Sequence, residues 1–271
     1  MEIQLMGPLK LQVNGRDEIP SARKPRKVLA MLLLNEGRLV TTDSLRTELW
    51  EDEAPRSALT TLQTYILQLR KALAAMTGQS VAQVSRELLM TWPCGYVLRL
   101  DDEASVDLRQ FGGLAVAGRA ADRRGDVHGA VEHYRHALRL WRGPLLSDIE
   151  HGSQLRSEAV RLEECRLSMI ERCVEGDLRL GRHREAVSEL SALVAQYPYH
   201  EELHAHLMIA LSRSGRRQDA LAAYQRLRTR MTAELGLEPG FRLRQLQGAV
   251  LSGEPEQVPL QRGGIPLGAS A

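Results

Sequence analysis

The chain is 271 residues long, with a net charge of +2, and is 43% hydrophobic, 26% charged and only 4% aromatic. That length accommodates two ordinary domains, and the aliphatic composition suits helix-rich cores lined by Leu and Ala. No apolar run reaches the roughly 18 residues of a membrane span, the amino terminus MEIQLMGPLK lacks the marks of a secretory signal, and three cysteines without a Cys-x-x-Cys pair exclude a disulfide framework or a zinc ribbon.

Residues 3 to 20 alternate loosely as short strands, broken at Gly7-Pro8 and turned at Asn14-Gly15, a strong hairpin signal. PRKVLAMLLLN, residues 25 to 35, predicts a helix with Pro25 in its first turn and Gly37 past its end. TDSLRTELW, residues 42 to 50, predicts a second short helix capped by Thr41 or Thr42. The loop EDEAP follows, and then SALTTLQTYILQLRKAL, residues 57 to 73, a third helix. TWPCGYVLRL and the residues before it predict a hairpin ending near Leu100. Three short helices framed by strands predict a winged helix-turn-helix over residues 1 to 100.

From Ala104 the pattern becomes all helix. Gly125, Ala130 and Tyr134 recur with the same internal spacing as Gly181, Ala186 and Leu190, and again as Gly215, Ala220 and Tyr224. The last two copies lie about 34 residues apart, the tetratricopeptide period. The Gly ends one helix, the Ala lets its pair approach, and the Tyr or Leu fills the gap one turn on. The stretch around WRGPLLSDI interrupts the array, and Pro198 falls between the second and third copies. The fold class expected is mainly α with a small β component: a winged helix followed by a tetratricopeptide-like domain over 104 to 251. From Ser252 the composition predicts a disordered tail.

Charge is distributed unevenly. Arg23, Lys24, Arg26 and Lys27 form one run without an acid, and Arg56, Arg70, Lys71 and Arg86 form another. Between them lie Asp43, Glu48, Glu51, Asp52 and Glu53. A single charge run is often only a solvated face, but two acid-free basic runs in one small domain point to a polyanion.

On a helical wheel, Ala58, Leu59, Leu62, Ile66, Leu69 and Leu73 of the third helix share a core-facing arc. The opposite arc carries Ser57, Thr60, Thr61, Thr64, Gln68 and Lys71, with Leu67 at its margin. Thr is a poor helix former, and three on one exposed face lower stability without adding packing. Their hydroxyls can pair with base edges, their methyls can touch thymine, and Gln pairs bidentately with adenine, whereas an acid here would repel phosphate. Thr60, Thr61, Thr64 and Gln68 are therefore the expected base readers. Arg23, Lys24, Arg26, Lys27, Arg56, Ser57, Arg70, Lys71 and Arg86 are the expected phosphate ligands.

The amino-terminal strands, KPRKVLAMLLLNEG, LRKAL and the Gly-Tyr of PCGYVLRL resemble the OmpR-type winged helix. Together with AVEHYRHALRLWRGPLLSDI, the repeat stretch from LRLGRHREAV to YQRLR, and ELGLEPG, they resemble the Streptomyces antibiotic regulatory protein family over nearly the whole chain. The resemblance implies an activator of a secondary-metabolite gene cluster, acting in the cytoplasm at the nucleoid. It implies binding to promoter direct repeats near the −35 element as a head-to-tail dimer, and recruitment of RNA polymerase holoenzyme with its sigma factor. It places Thr60, Thr61, Thr64 and Gln68 on the recognition helix and the loop from Glu51 to Pro55 at polymerase, where Glu51, Asp52 and Glu53 suit a basic patch. Response-regulator relatives often carry Arg shortly before the Gly-Tyr pair; here Trp92-Pro93-Cys94 stands there, and Trp92 is expected to pack the hairpin base rather than to touch DNA. No Gly-x-x-x-x-Gly-Lys-[Ser/Thr] occurs, and control by phosphorylation of a receiver domain is not expected.

His200, His204 and His206 cluster, with His200 and His204 four residues apart, but no third ligand is in sight, so no metal is expected, and no cofactor or enzymatic constellation stands out. Cys165 and Cys173 read as core residues. Two alternatives to the activator are a helical-repeat interaction scaffold and a regulator gated by a small ligand in the repeat domain.

Overall fold

The computed structural model describes residues 1–13, 16, 17 and 20–253. The predicted Asn14-Gly15 turn, and the predicted tail from residue 254 on, lie outside the described residues; Ser252 itself closes the last helix. The chain forms two compact units. The first comprises Met1–Leu114 and His136–Glu164, the second Ala115–Arg135 and the chain from Cys165 onward. A stretch from the carboxy-terminal half of the sequence thus belongs to the unit built around the amino terminus.

In the first unit, strands β1 (Glu2–Gln4), β2 (Lys10–Val13), β3 (Arg16–Asp17) and β7 (Ser105–Val106) form a sheet of order β3-β2-β1-β7. β1 pairs antiparallel with β2 and parallel with β7. Helix α1 (Arg23–Leu34) buries Val28 through Leu33. Pro25 is tolerated in its first turn, where a backbone donor has no intrahelical partner. Helix α2 (Thr42–Trp50) is capped by Thr41, whose hydroxyl oxygen accepts from the Ser44 amide at 3.1 Å. Helix α3 (Ala58–Thr77) runs four residues beyond the sequence expectation because Ala74 and Met76 extend its apolar face; Gly78, at φ +72°, ends it. A short helix α4 (Val81–Gln83) continues as a π-helical turn (Val84–Leu88) into the hairpin of β5 (Leu89–Trp92) and β6 (Gly95–Leu98). These join β4 (Leu39–Thr41) in the order β4-β6-β5. Gly95 is required there: a β-carbon would lie 2.1 Å from the Val40 carbonyl oxygen.

The stretch that breaks the repeat pattern completes this unit. Amides of Arg142 and Leu146 donate to the carbonyls of Met6 (2.8 Å) and Leu5 (3.0 Å), and the Leu9 amide donates to Asp148 (2.8 Å). Leu145, Leu146, Leu155 and Leu162 enter the same core as Ile3, Leu62 and Ile66. Two buried carboxylates fasten it. Asp107 accepts from the amides of Leu5 and Met6 and from Arg142. Glu48, only 1% exposed, accepts from the amides of Gly152, Gln154 and Leu155 at 2.6, 2.9 and 3.1 Å. Glu48 is therefore not part of an acidic surface: it satisfies the free donors at the start of helix α7 (Ser153–Arg179).

Helices α5 (Asp107–Arg123), α6 (Val127–Arg139) and α7 contribute to both units, and α8 (His183–Gln196), α9 (Glu201–Arg213), α10 (Arg217–Leu235) and α11 (Phe241–Ser252) belong to the second. In the second unit the three repeat signatures behave alike. Gly125, Gly181 and Gly215 each turn the chain at φ between +76° and +79°, and the Ala and the Tyr or Leu that follow each are all at most 3% exposed. Asp177, buried, pairs with Arg135 and Arg182. Burial pushes the Cys173 thiol up to about 12, which keeps it protonated and inert.

Candidate nucleic-acid interface

Helix α3 carries two faces. Leu62, Ile66 and Leu69 are each 1% exposed, which at about 1.5–3 kcal/mol per buried side chain anchors the helix in the core of the first unit. Leu59, expected on that face, is instead 57% exposed in the first turn of the helix. Thr60, Gln63, Thr64, Gln68 and Lys71 are exposed and Thr61 is half-buried. Leu67, at the margin of this arc, is 45% exposed among them. The Thr64 hydroxyl donates to the Thr60 carbonyl at 3.0 Å, which fixes its proton inward and turns its lone pairs outward as acceptors. No Asp or Glu occurs anywhere in the helix.

Of the cations expected to hold phosphate, Arg23, Lys24, Arg56, Lys71 and Arg86 are exposed and Lys27 is half-buried. Ser57 is exposed just before α3 and makes no side-chain cap. Lys24 sits 4.9 Å from the Trp50 ring centroid, a cation–π contact that joins the start of α1 to the end of α2. Arg26 and Arg70 require correction, because both are engaged inside the unit. Arg26 pairs with Asp148. Arg70 donates to the Leu89 carbonyl at 2.8 and 3.0 Å and to the Thr91 hydroxyl at 2.7 Å. Its side chain ties α3 to the first strand of the hairpin. Burial lowers its pKa, with a smaller opposing contribution from Tyr96, yet a guanidinium stays charged at any ordinary pH. A charge run in sequence could not separate these two arginines from their neighbours, because their partners lie far along the chain.

The hairpin tip is uncharged. Trp92 is 53% exposed, which corrects the expectation that it packs the hairpin base. Glu51, Asp52 and Glu53 are all exposed in the loop between α2 and α3. Glu51 turns the chain there at φ +49°, a conformation L-residues rarely adopt. The histidine cluster is internal to the second unit: His204 contacts the Pro198 carbonyl at 3.2 Å and His206 is 2% exposed. Among the described residues no three metal-ligating side chains converge, and no helix is long and apolar enough to cross a membrane.

Two family models match the chain. The model described as "Transcriptional regulatory protein, C terminal" matches residues 16–98, and the one described as "Bacterial transcriptional activator domain" matches residues 106–251, more than half of the chain. The regulatory protein DnrI of Streptomyces peucetius is 45% identical over 94% of this chain and 93% of its own length. The regulatory protein AfsR of Streptomyces coelicolor is 37% identical over 93% of this chain, which spans only 24% of that protein. A solved structure of Mycobacterium tuberculosis EmbR, in complex with a low-affinity phosphopeptide, superposes with a TM-score of 0.83 at 34% identity, covering 96% of this chain and 66% of that one.

Proposed function

The chain belongs to the Streptomyces antibiotic regulatory protein family of DNA-binding transcriptional activators, and we propose that it switches on a biosynthetic gene cluster for an antibiotic or related secondary metabolite. In this reading α3 enters the major groove. Thr60, Thr61, Thr64 and Gln68 meet base edges, while Arg23, Lys24, Lys27, Arg56, Ser57, Lys71 and Arg86 hold phosphates on either side. Two copies lie head to tail on direct repeats near the −35 element. The free acids Glu51, Asp52 and Glu53, on the loop that leads into α3, meet a basic surface of the sigma factor in RNA polymerase holoenzyme. The observation that carries this reading is the exposed face of α3, which offers hydrogen-bonding groups and no acid.

Footprinting on promoters in the chain's own genomic neighbourhood tests it. Protection of tandem repeats is expected. In a purified transcription system, changing Glu51, Asp52 and Glu53 together to Ala is expected to lower activation while the footprint persists. Unaltered transcription removes the sigma-factor contact from the account, and absence of protected repeats removes the operator.

A further inference from the structure

Resting on the base-reading role proposed for α3, we infer that Leu67 is a specificity residue that recognises the C5-methyl group of a thymine in the operator. An isolated exposed Leu needs no explanation on most protein surfaces. Leu67 differs in its company. Thr60, Thr64, Leu67 and Lys71 follow one another at spacings of four, three and four, so they form a single stripe along the helix. Every other member of that stripe is polar and exposed, and Leu67 stands between Thr64 and Lys71 at 45% exposure.

Packing does not account for it. The core side of α3 is already filled by Leu62, Ile66, Leu69 and Leu73, each at most 3% exposed. An apolar side chain in the middle of a hydrogen-bonding face leaves polar base edges without a partner unless it meets an apolar one. In the major groove the C5-methyl of thymine is the bulkiest apolar group that a base edge offers. Its neighbours supply the remainder of one local reading frame: Thr64 one turn before, with its acceptor lone pairs outward, and Gln68 beside it. Removing the methyl would leave Leu67 facing water, so the contact discriminates thymine from any base without a methyl at that place.

The test replaces thymine by deoxyuridine, which deletes the methyl and leaves every hydrogen-bonding group in place. Each thymine of the footprinted operator is replaced in turn, and the affinity of the full chain is measured by gel shift. At one thymine per half-site the unaltered protein is expected to bind about fourfold more weakly, the worth of roughly one buried methyl group. Leu67→Ala is expected to bind the thymine operator more weakly by a similar factor and to show no further loss with deoxyuridine at that position. The exposed site and the better helix propensity of Ala keep this variant folded, which an unchanged melting temperature checks. If no thymine responds, or if Leu67→Ala still senses the methyl, the inference is wrong while sequence-preferring binding stands. If the chain shows no sequence preference at all, the base-reading role of α3 fails and this inference falls with it.

Discussion

Helices α3 and α10 are both long, amphipathic and threonine-containing, and they treat their solvent faces in opposite ways. The face of α10 is rich in arginine, and much of that charge is paired. Arg216 pairs with Asp219 just before and within its first turn, Arg228 with Glu238, and Arg230 with Glu234. Such exposed pairs add little stability, yet they cancel the local field. The face of α3 contains no acid, and the flanking Arg56 and Lys71 have no ion partner among the described residues. One helix therefore presents arginines largely paired with acids of its own unit, and the other presents donors, acceptors and positive charge with no acid among them. Charge content alone does not separate the two; the placement of acids does.

A single negative charge put on each face is expected to have the largest and most unequal effect. Thr64→Glu is expected to weaken DNA binding by about a hundredfold, since it removes a base contact and adds repulsion against phosphate. Thr229→Glu, on the exposed face of α10, is expected to change affinity less than about twofold on the same grounds. Gel shifts on the footprinted operator compare them.

A second contrast concerns pH. The second unit buries His206, whose pKa is pushed down to about 4, mainly by burial and further by Arg242 and His200. The unfolded chain takes up its proton near pH 6.5 and the folded chain does not. This contribution to stability is therefore complete above about pH 6.5 and is lost as pH falls toward 4, at a cost of about 2 kcal/mol by pH 5. Thermal melts at pH 7.5 and 5 are expected to show the loss, and His206→Gln is expected to remove this part of it. The face of α3 holds no carboxylate and no histidine that titrates in this window.

The finest test is the salt dependence. With about five exposed cations on phosphates, log K is expected to fall with log salt at a slope of about −4 to −5. Lys71→Ala is expected to reduce that slope by about one, and Arg226→Ala on α10 to leave it unchanged.

What the sequence made legible follows from locality. The cap at Thr41 and the three glycine turns of the repeats depend on neighbours a few residues away, so they are readable from spacing. The two faces of α3 were readable for the same reason, save at Leu59, where the wheel gives direction but not what covers it. The structural role of the stretch after Trp141 is not legible in the sequence, because its partners, residues 5 to 9, lie at the other end of the first unit's sequence. Glu48, Arg26 and Arg70 are of the same kind: each looks like a surface charge in sequence, and each is committed to a backbone or side-chain partner that only the fold brings near.

The central claim is that the Thr and Gln side of α3 reads bases. Competition of labelled operator against unlabelled operator and unrelated duplex, for the unaltered chain and for the variant Thr64→Ala with Gln68→Ala, tests it most directly. Operator is expected to outcompete unrelated duplex by orders of magnitude for the unaltered chain, and the double substitution is expected to collapse this ratio while affinity for unrelated duplex stays the same. Equal competition by both duplexes, or a ratio untouched by the double substitution, would contradict it.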